Sequence, residues 1–166
     1  MSERNYILDK ATSARKLRRM ALELAEQLNG DLTPLVVLGI RNSGTVIAEQ
    51  IAGYLREYIS NDIQIALLSL NKTLPVDVEI STSIDLNGVH VLITDDVTNS
   101  GKTLLYALKP LLQFYPKSIQ TLVLVERMHK LFPVKPDFVG LSVATTIQEH
   151  IQVEVKGGAI EGAYIS

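Results

Sequence analysis

The stretch VLITDDVTNSGKT, residues 91–103, decides the fold. Its opening VLIT reads as a strand buried on both faces, and its close, NSGKT, reads as a polar, glycine-containing turn into a helix. Between them stand two adjacent carboxylates, Asp95 and Asp96. The closing loop is suited to an anion. Thr98, Asn99, Ser100 and Thr103 carry side-chain donors, Gly101 lets backbone N–H groups turn inward, and the next helix directs its positive end to the same spot. Two carboxylates beside such a loop repel an anion unless positive charge or hydroxyl groups lie between. The pattern therefore points to a ligand with a phosphate at one end and a diol or a metal at the other. Asp95 and Asp96, roughly 3.3 Å apart per extended residue, are set to accept hydrogen bonds from vicinal hydroxyls and to help hold a hydrated divalent cation.

Outward from this stretch, strand and helix patterns alternate. Leu17, Met20, Ala21, Leu24 and Leu28 recur at helical spacing, and Asn29-Gly30 marks the stop. LVVLG (35–39) reads as a buried strand, and Ile47, Ile51 and Leu55 as a second helix. IQIALLSL (63–70), VHVLIT (89–94) and IQTLVLV (119–125) are further strands. The polar, Pro75-containing segment is a loop or sheet edge, and the helix after residue 103 is expected to kink or stop near Pro110. The tail carries short β-rich pieces and no helix pattern. Such alternation predicts an α/β fold, a central parallel sheet flanked by helices in one domain over 1–166. The loops 39–44 and 97–101 each follow a strand, so both fall at the carboxyl edge of the sheet, where one ligand can touch both.

Composition narrows the function classes. The chain has 166 residues, enough for one sizeable core, and no cysteine, which excludes thiolate metal sites and cysteine nucleophiles. His90, His129 and His150 share no ligand spacing. The formal charge of −2 excludes a general polycation, so any nucleic-acid binding rests on a local basic patch. RKLRR (15–19) reads as a solvated helix face, with an RNA patch as the alternative. No apolar run reaches membrane-spanning length and the N-terminal stretch lacks a signal-peptide core, so a soluble cytoplasmic protein is the default. GKT (101–103) is not part of a nucleoside-triphosphate loop, because Asp96 stands where that motif needs glycine. GIRNSG (39–44) lacks the middle glycine of a dinucleotide fingerprint. A monophosphate suits the 97–103 loop better.

A phosphate, a diol and a metal together describe a 5-phosphoribosyl group. VLITDDVTNSGKT resembles the phosphoribosyl-pyrophosphate signature of the type I phosphoribosyltransferases, and LGIRNSGTVIAEQIA (38–52) lies where that family has its pyrophosphate loop. LVLVERMHKLFPVKPDFVGLSVAT and YILDKATSARKLRRMALELA extend the resemblance over nearly the whole chain, and it is nearest to the family's pyrimidine-operon regulators with uracil transferase activity. It implies a Mg²⁺-dependent transfer of the phosphoribosyl group from phosphoribosyl pyrophosphate to a nucleobase, with release of pyrophosphate. In that scheme Thr98, Asn99, Ser100, Gly101, Lys102 and Thr103 hold the 5′-phosphate, while Asp95 and Asp96 take the ribose hydroxyls and the metal. Arg41, Asn42, Ser43 and Gly44 take the pyrophosphate, and Val125, Glu126, Phe138 and Val139 line the base site beneath a C-terminal hood, mainly 126–155 with the N-terminal segment.

Base choice and activity stay open among alternatives. Glu126 replaces the lysine that reads the 6-oxygen in purine relatives and so favours uracil; a purine transferase is the other choice. Ser43 replaces a basic residue of the pyrophosphate loop, and residues 71–88, with Lys72 as their obvious cation, are shorter than the mobile lid of relatives. Leu141 and Ala144 also replace residues of the regulators' base site and basic surface. A weakly catalytic nucleotide-responsive regulator that binds RNA is therefore the alternative. The resemblance also implies a homodimer, with contacts through the first or second helix.

Overall fold

A computed structural model describes residues 4–71 and 73–166; Lys72 lies outside the described residues. The elements in order are β1 (Asn5–Leu8), α1 (Lys10–Gln27), β2 (Leu35–Ile40), α2 (Ser43–Leu55), β3 (Ile63–Leu70), β4 (Val78–Ile80), β5 (His90–Thr98), α3 (Lys102–Ala107), β6 (Ser118–Arg127), β7 (Phe138–Val143), β8 (Ile151–Lys156) and β9 (Ala159–Ile165). α1 begins where Asp9 caps it, its side chain accepting the Thr12 N–H at 2.7 Å. α3 ends before the expected Pro110 break, and a 3-10 turn, Lys109–Gln113, follows it.

Six strands form one sheet in the order β4-β3-β2-β5-β6-β7, parallel except for the short antiparallel edge strand β4. Continuous apolar runs suit the central strands because both faces are covered. Val37, Leu92 and Leu122 join α1, α2 and the small sheet in one core, while Val36, Leu38, Ile93 and Val123 pack with α3 and Leu86 in another. β1 and the β8–β9 hairpin form a separate three-stranded antiparallel sheet, whose Leu8, Ile160 and Ala163 close the first core. This sheet runs to Ile165.

The chain passes from β2 to β3 on one side and then crosses to β5 on the other, so β2 and β5 are central neighbours whose following loops diverge. That is a topological switch point, with its crevice beyond the carboxyl ends of the strands. On the outer helical surface, Arg18 lies over the Tyr54 and Tyr58 rings and donates to Glu57 and the Tyr58 hydroxyl. Arg19 donates to the carbonyls of Val139 and Gly140 on edge strand β7. Two arginines of the RKLRR face are thus tied to their own chain.

The opposite, amino-terminal edge of the sheet is pinned by Asp31. Its carboxylate accepts the Thr33 N–H at 2.9 Å, and its Oδ2 lies 2.9 Å from both His90 Nε2 and Lys117 Nζ. His90 Nδ1 in turn lies 2.6 Å from Ser118 Oγ, so the cluster joins the entries to β2, β5 and β6. Hydrogen bonds from Thr33, then from His90 and Lys117, hold the Asp31 carboxyl well below the usual carboxylate range. A depressed folded value stabilises the protein above the unfolded value, about 3.9, and that stability is lost as pH falls below it. Asp31→Asn is therefore expected to lower the melting temperature at neutral pH and to flatten the acid limb below about pH 4. Melts from pH 7 to pH 3 read this; the residual slope belongs to Asp9 and Glu149, whose carboxyls are also held down. An unchanged acid limb would show that Asp31 is not ionised and paired in the folded chain.

Candidate active site

β5 does not end at Thr94. It continues through Asp95 and Asp96 to Thr98, with Asp95 opposite Val123 and Thr98 opposite Glu126 on β6. The carboxylates therefore sit on a strand, and alternation separates their environments. Asp95 is 1% exposed and its Oδ1 accepts the Asp96 N–H at 2.9 Å. Asp96 is half-buried and accepts the Val97 N–H at 2.8 Å. Of the two carboxylates expected at the ribose and the metal, Asp96 is the more accessible, because Asp95 is packed into the sheet.

The loop after β5 closes around a cavity of about 200 Å³ lined by residues 97–103. Gly101 takes φ of 88°, a left-handed conformation that side-chain-bearing residues rarely adopt. The Ser100 carbonyl accepts the N–H groups of Leu131 and Phe132, each at 3.0 Å, so the hood segment braces the loop from behind. Thr98, Asn99, Ser100, Gly101, Lys102 and Thr103 all line this one cavity, as their grouping in sequence implies.

The loop after β2 is tighter than its sequence suggests. α2 starts at Ser43, so Ser43 and Gly44 lie in its first turn, and only Arg41 and Asn42, joined by a cis peptide, stand between strand and helix. Gly44 packs on β5, where its carbonyl accepts the Thr94 hydroxyl at 2.8 Å. That bond ties the two switch-point loops together. Nothing in the sequence context of Thr94 separates a bridging hydroxyl from a β-branched strand residue.

The four residues expected at the base lie on β6 and β7. Val125 and Phe138 are buried in the core shared with α1 and α2, and Val139 packs on the opposite core with its carbonyl taken by Arg19. Glu126 is 7% exposed, with Oε2 accepting the Ser142 hydroxyl at 2.9 Å and Oε1 3.1 Å from Lys130 Nζ. None of the four lines the cavity of about 590 Å³ that adjoins the 97–103 loop. That cavity is lined by Asn99, Ser100, Arg127, His129 and Leu131 together with residues 145–147. The alternation of strands β6 and β7 turns the apolar residues inward, and the cavity is lined from the loops that follow.

The short segment after β3 is held down. Lys102 donates to the Thr73 carbonyl at 3.2 Å and Lys109 to the Val76 carbonyl at 2.8 Å. Among the described residues no cluster of three or more His, Cys, Asp or Glu is placed to hold a metal by protein ligands alone. The donor set fits Mg²⁺ in its usual manner, through one or two carboxylates with water and substrate phosphates completing the shell. No helix among the described residues is long and apolar enough to cross a membrane.

Comparison with known proteins agrees with this geometry. Residues 4–157 match the phosphoribosyl transferase domain. The chain is 32% identical over 164 residues to Bifunctional protein PyrR 1 of Lactiplantibacillus plantarum, covering 90% of this chain and 89% of the relative. It is 32% identical over 161 residues to Bifunctional protein PyrR of Ligilactobacillus salivarius, covering 90% of each. Its fold is similar to the hypoxanthine phosphoribosyltransferase of Trypanosoma cruzi, with a TM-score of 0.75 at 17% identity over 84% of this chain and 82% of that one. The parallel sheet, the switch-point loops and the matched domain together place the chain in the type I phosphoribosyltransferase family.

Proposed function

We propose that this phosphoribosyltransferase moves the 5-phosphoribosyl group from phosphoribosyl pyrophosphate to uracil. The observation that carries the reading is the tie between Gly44 and Thr94, which sets loop 41–44 beside the carboxylates and the cavity of residues 97–103. The 5′-phosphate lies in that cavity, Asp96 accepts from the ribose hydroxyls, and the leaving pyrophosphate faces Arg41 and the first turn of α2. Asp95 holds the Asp96 backbone in place from beneath. Bond breaking at ribose C1 develops oxocarbenium character, as in glycoside chemistry. The chain's contribution is positioning, together with backbone N–H groups and one carboxylate already oriented before reaction. Asp96, with water and substrate oxygens, would hold Mg²⁺, and the bound ion would supply charge neutralisation for the departing diphosphate.

Uracil is favoured by the relatives named PyrR; Glu126, at the position where the resemblance places the purine relatives' lysine, is engaged with Lys130 and Ser142 and is not among the residues lining the larger cavity. The second reading is a nucleotide-responsive regulator, RNA-binding like a member of the same branch, with little turnover. It is supported by the short segment that Lys102 and Lys109 hold down and by Ser43 in the pyrophosphate loop. A panel of uracil, cytosine, hypoxanthine and adenine, assayed with phosphoribosyl pyrophosphate and Mg²⁺ for nucleoside monophosphate, separates these readings. The expected product is uridine monophosphate alone. Product from hypoxanthine without any from uracil would sink the uracil assignment. Turnover at background with uridine monophosphate still bound in calorimetry would favour the regulator, whose RNA binding should weaken steeply with salt.

A further inference from the structure

Behind the 97–103 loop lies a charge pair that the proposed reaction does not use. Glu126, near the end of β6, is 7% exposed. It stands in register with Thr98 of β5 on one side and with Ser142 of β7 on the other, so the three form a row across the carboxyl edge of the sheet. Its Oε2 accepts the Ser142 hydroxyl at 2.9 Å, and its Oε1 lies 3.1 Å from Lys130 Nζ. The Lys130 ammonium also donates to the Arg127 carbonyl, which closes the turn after β6. The lysine stem runs against the loop, since a Cβ at Gly101 would lie 3.7 Å from Lys130 Cδ. From the same turn, the N–H groups of Leu131 and Phe132 donate to the Ser100 carbonyl. Lys130 itself lines neither cavity.

A carboxylate in this place works against an anion site. Neighbouring strands lie about 4.8 Å apart, so Glu126 is one strand away from Thr98, whose loop seats the 5′-phosphate in the proposed function. At an effective dielectric near 20, two unit charges about 10 Å apart repel enough to change an affinity by about tenfold. We propose that Lys130 is a positioning residue that acts on the phosphate without touching it: it cancels the Glu126 charge, so that the acid fastens the 127–132 turn behind the loop without repelling the phosphate in front. The proposal rests on the reading of the 97–103 cavity as the 5′-phosphate site. Glu126 supplies the grip on the turn and on β7, and Lys130 offsets its charge. A brace alone needs no charges, because a buried ion pair adds little net stability over an apolar pair of the same shape. The pair therefore matters most where a second anion comes close.

Calorimetry of the full chain with ribose 5-phosphate, beside thermal melts, tests this. Lys130→Met keeps the stem against Gly101 and removes the charge; it should bind ribose 5-phosphate about tenfold more weakly than the wild type. Glu126→Gln keeps an acceptor for Ser142 and Lys130 and leaves the ammonium uncancelled; it should bind about threefold tighter or more. The double variant Glu126→Gln/Lys130→Met, with both charges gone, should return to within about threefold of the wild type. These opposite signs separate cancellation from bracing, since a brace broken from either end weakens binding in both single variants. If Lys130→Met fails to fold, Glu126→Gln decides alone: tighter binding sustains the proposal, and equal or weaker binding overturns it. Unchanged binding in Lys130→Met, or a double variant as weak as Lys130→Met, also overturns it and leaves the pair as a brace. Failure of the wild type to bind ribose 5-phosphate overturns the reading of the cavity as a phosphate site, and this proposal with it.

Discussion

Asp96→Asn is expected to lower kcat/KM by about a hundredfold, with little change in melting temperature. Asparagine keeps the side-chain oxygen that accepts the Val97 N–H at 2.8 Å, so the local strand geometry survives. The substitution removes the charge. A hydrogen bond to an ionised group is worth about 1.5–3 kcal/mol, and each 1.36 kcal/mol is a decade in rate, so the loss of charged contacts to the ribose diol amounts to roughly one to two decades. Weakened retention of the cation adds to this. Asp95→Asn should behave differently. Asp95 is sealed within the sheet, and replacing a buried carboxylate disturbs the group that holds the Asp96 backbone, so stability and activity should fall together. Steady-state kinetics with phosphoribosyl pyrophosphate and uracil, run beside thermal melts of both variants, tells the two apart. Wild-type kcat/KM in Asp96→Asn would remove that carboxylate from the reacting group.

The distinction between these two carboxylates was not legible in the sequence, although their presence was. Adjacent residues in an extended strand face opposite sides, but VLIT followed by DD reads as a strand that stops. The pairing that carries β5 on to Thr98 is a backbone matter, Asp95 against Val123 and Val97 against Val125, and hydrophobic pattern does not register it. The same blindness shortened α2, whose first turn takes in Ser43 and Gly44. Central strands β2, β5 and β6 were legible because they are buried on both faces and so must be apolar throughout. The terminal sheet was partly legible: VEVKGGAIE (153–161) carries a two-glycine hairpin signal, yet the partner strand β1 lies at the far end of the chain, and no local rule pairs them. The grouping of residues 97–103 around one cavity was legible because its glycine and hydroxyls are contiguous. The larger cavity beside it was not, since it draws on segments near 127, 131 and 145, and only packing decides that Val125 and Phe138 turn into the core while Ile147 stays exposed.

Gly44→Ala should have the second large effect, and it acts through position alone. A Cβ at Gly44 stands 2.6 Å from the Thr94 carbonyl oxygen and 3.2 Å from Asp95 Cα, both main-chain atoms of β5. Neither can rotate aside, so the first turn of α2 must lift from the strand and loosen the Thr94–Gly44 hydrogen bond. Overpacking of this kind costs about 1–3 kcal/mol of stability. A displacement of about 1 Å between reacting groups costs on the order of a hundredfold in rate, and the lifted turn carries Arg41 and Asn42 away from the ribose side. Gly53, in the same helix, supplies the control: it is exposed, and a Cβ there meets nothing within 4 Å. Gly53→Ala should stabilise the protein by about 0.5–1 kcal/mol with unchanged turnover. The two positions lie roughly 13 Å apart at about 1.5 Å per helical residue, far enough for their effects on stability to add. The double variant should therefore recover part of the melting temperature lost in Gly44→Ala and none of the lost kcat/KM. If turnover returned along with the melting temperature, loss of folded protein rather than a misplaced loop would account for the defect, and the 41–44 turn would have no part in holding the pyrophosphate.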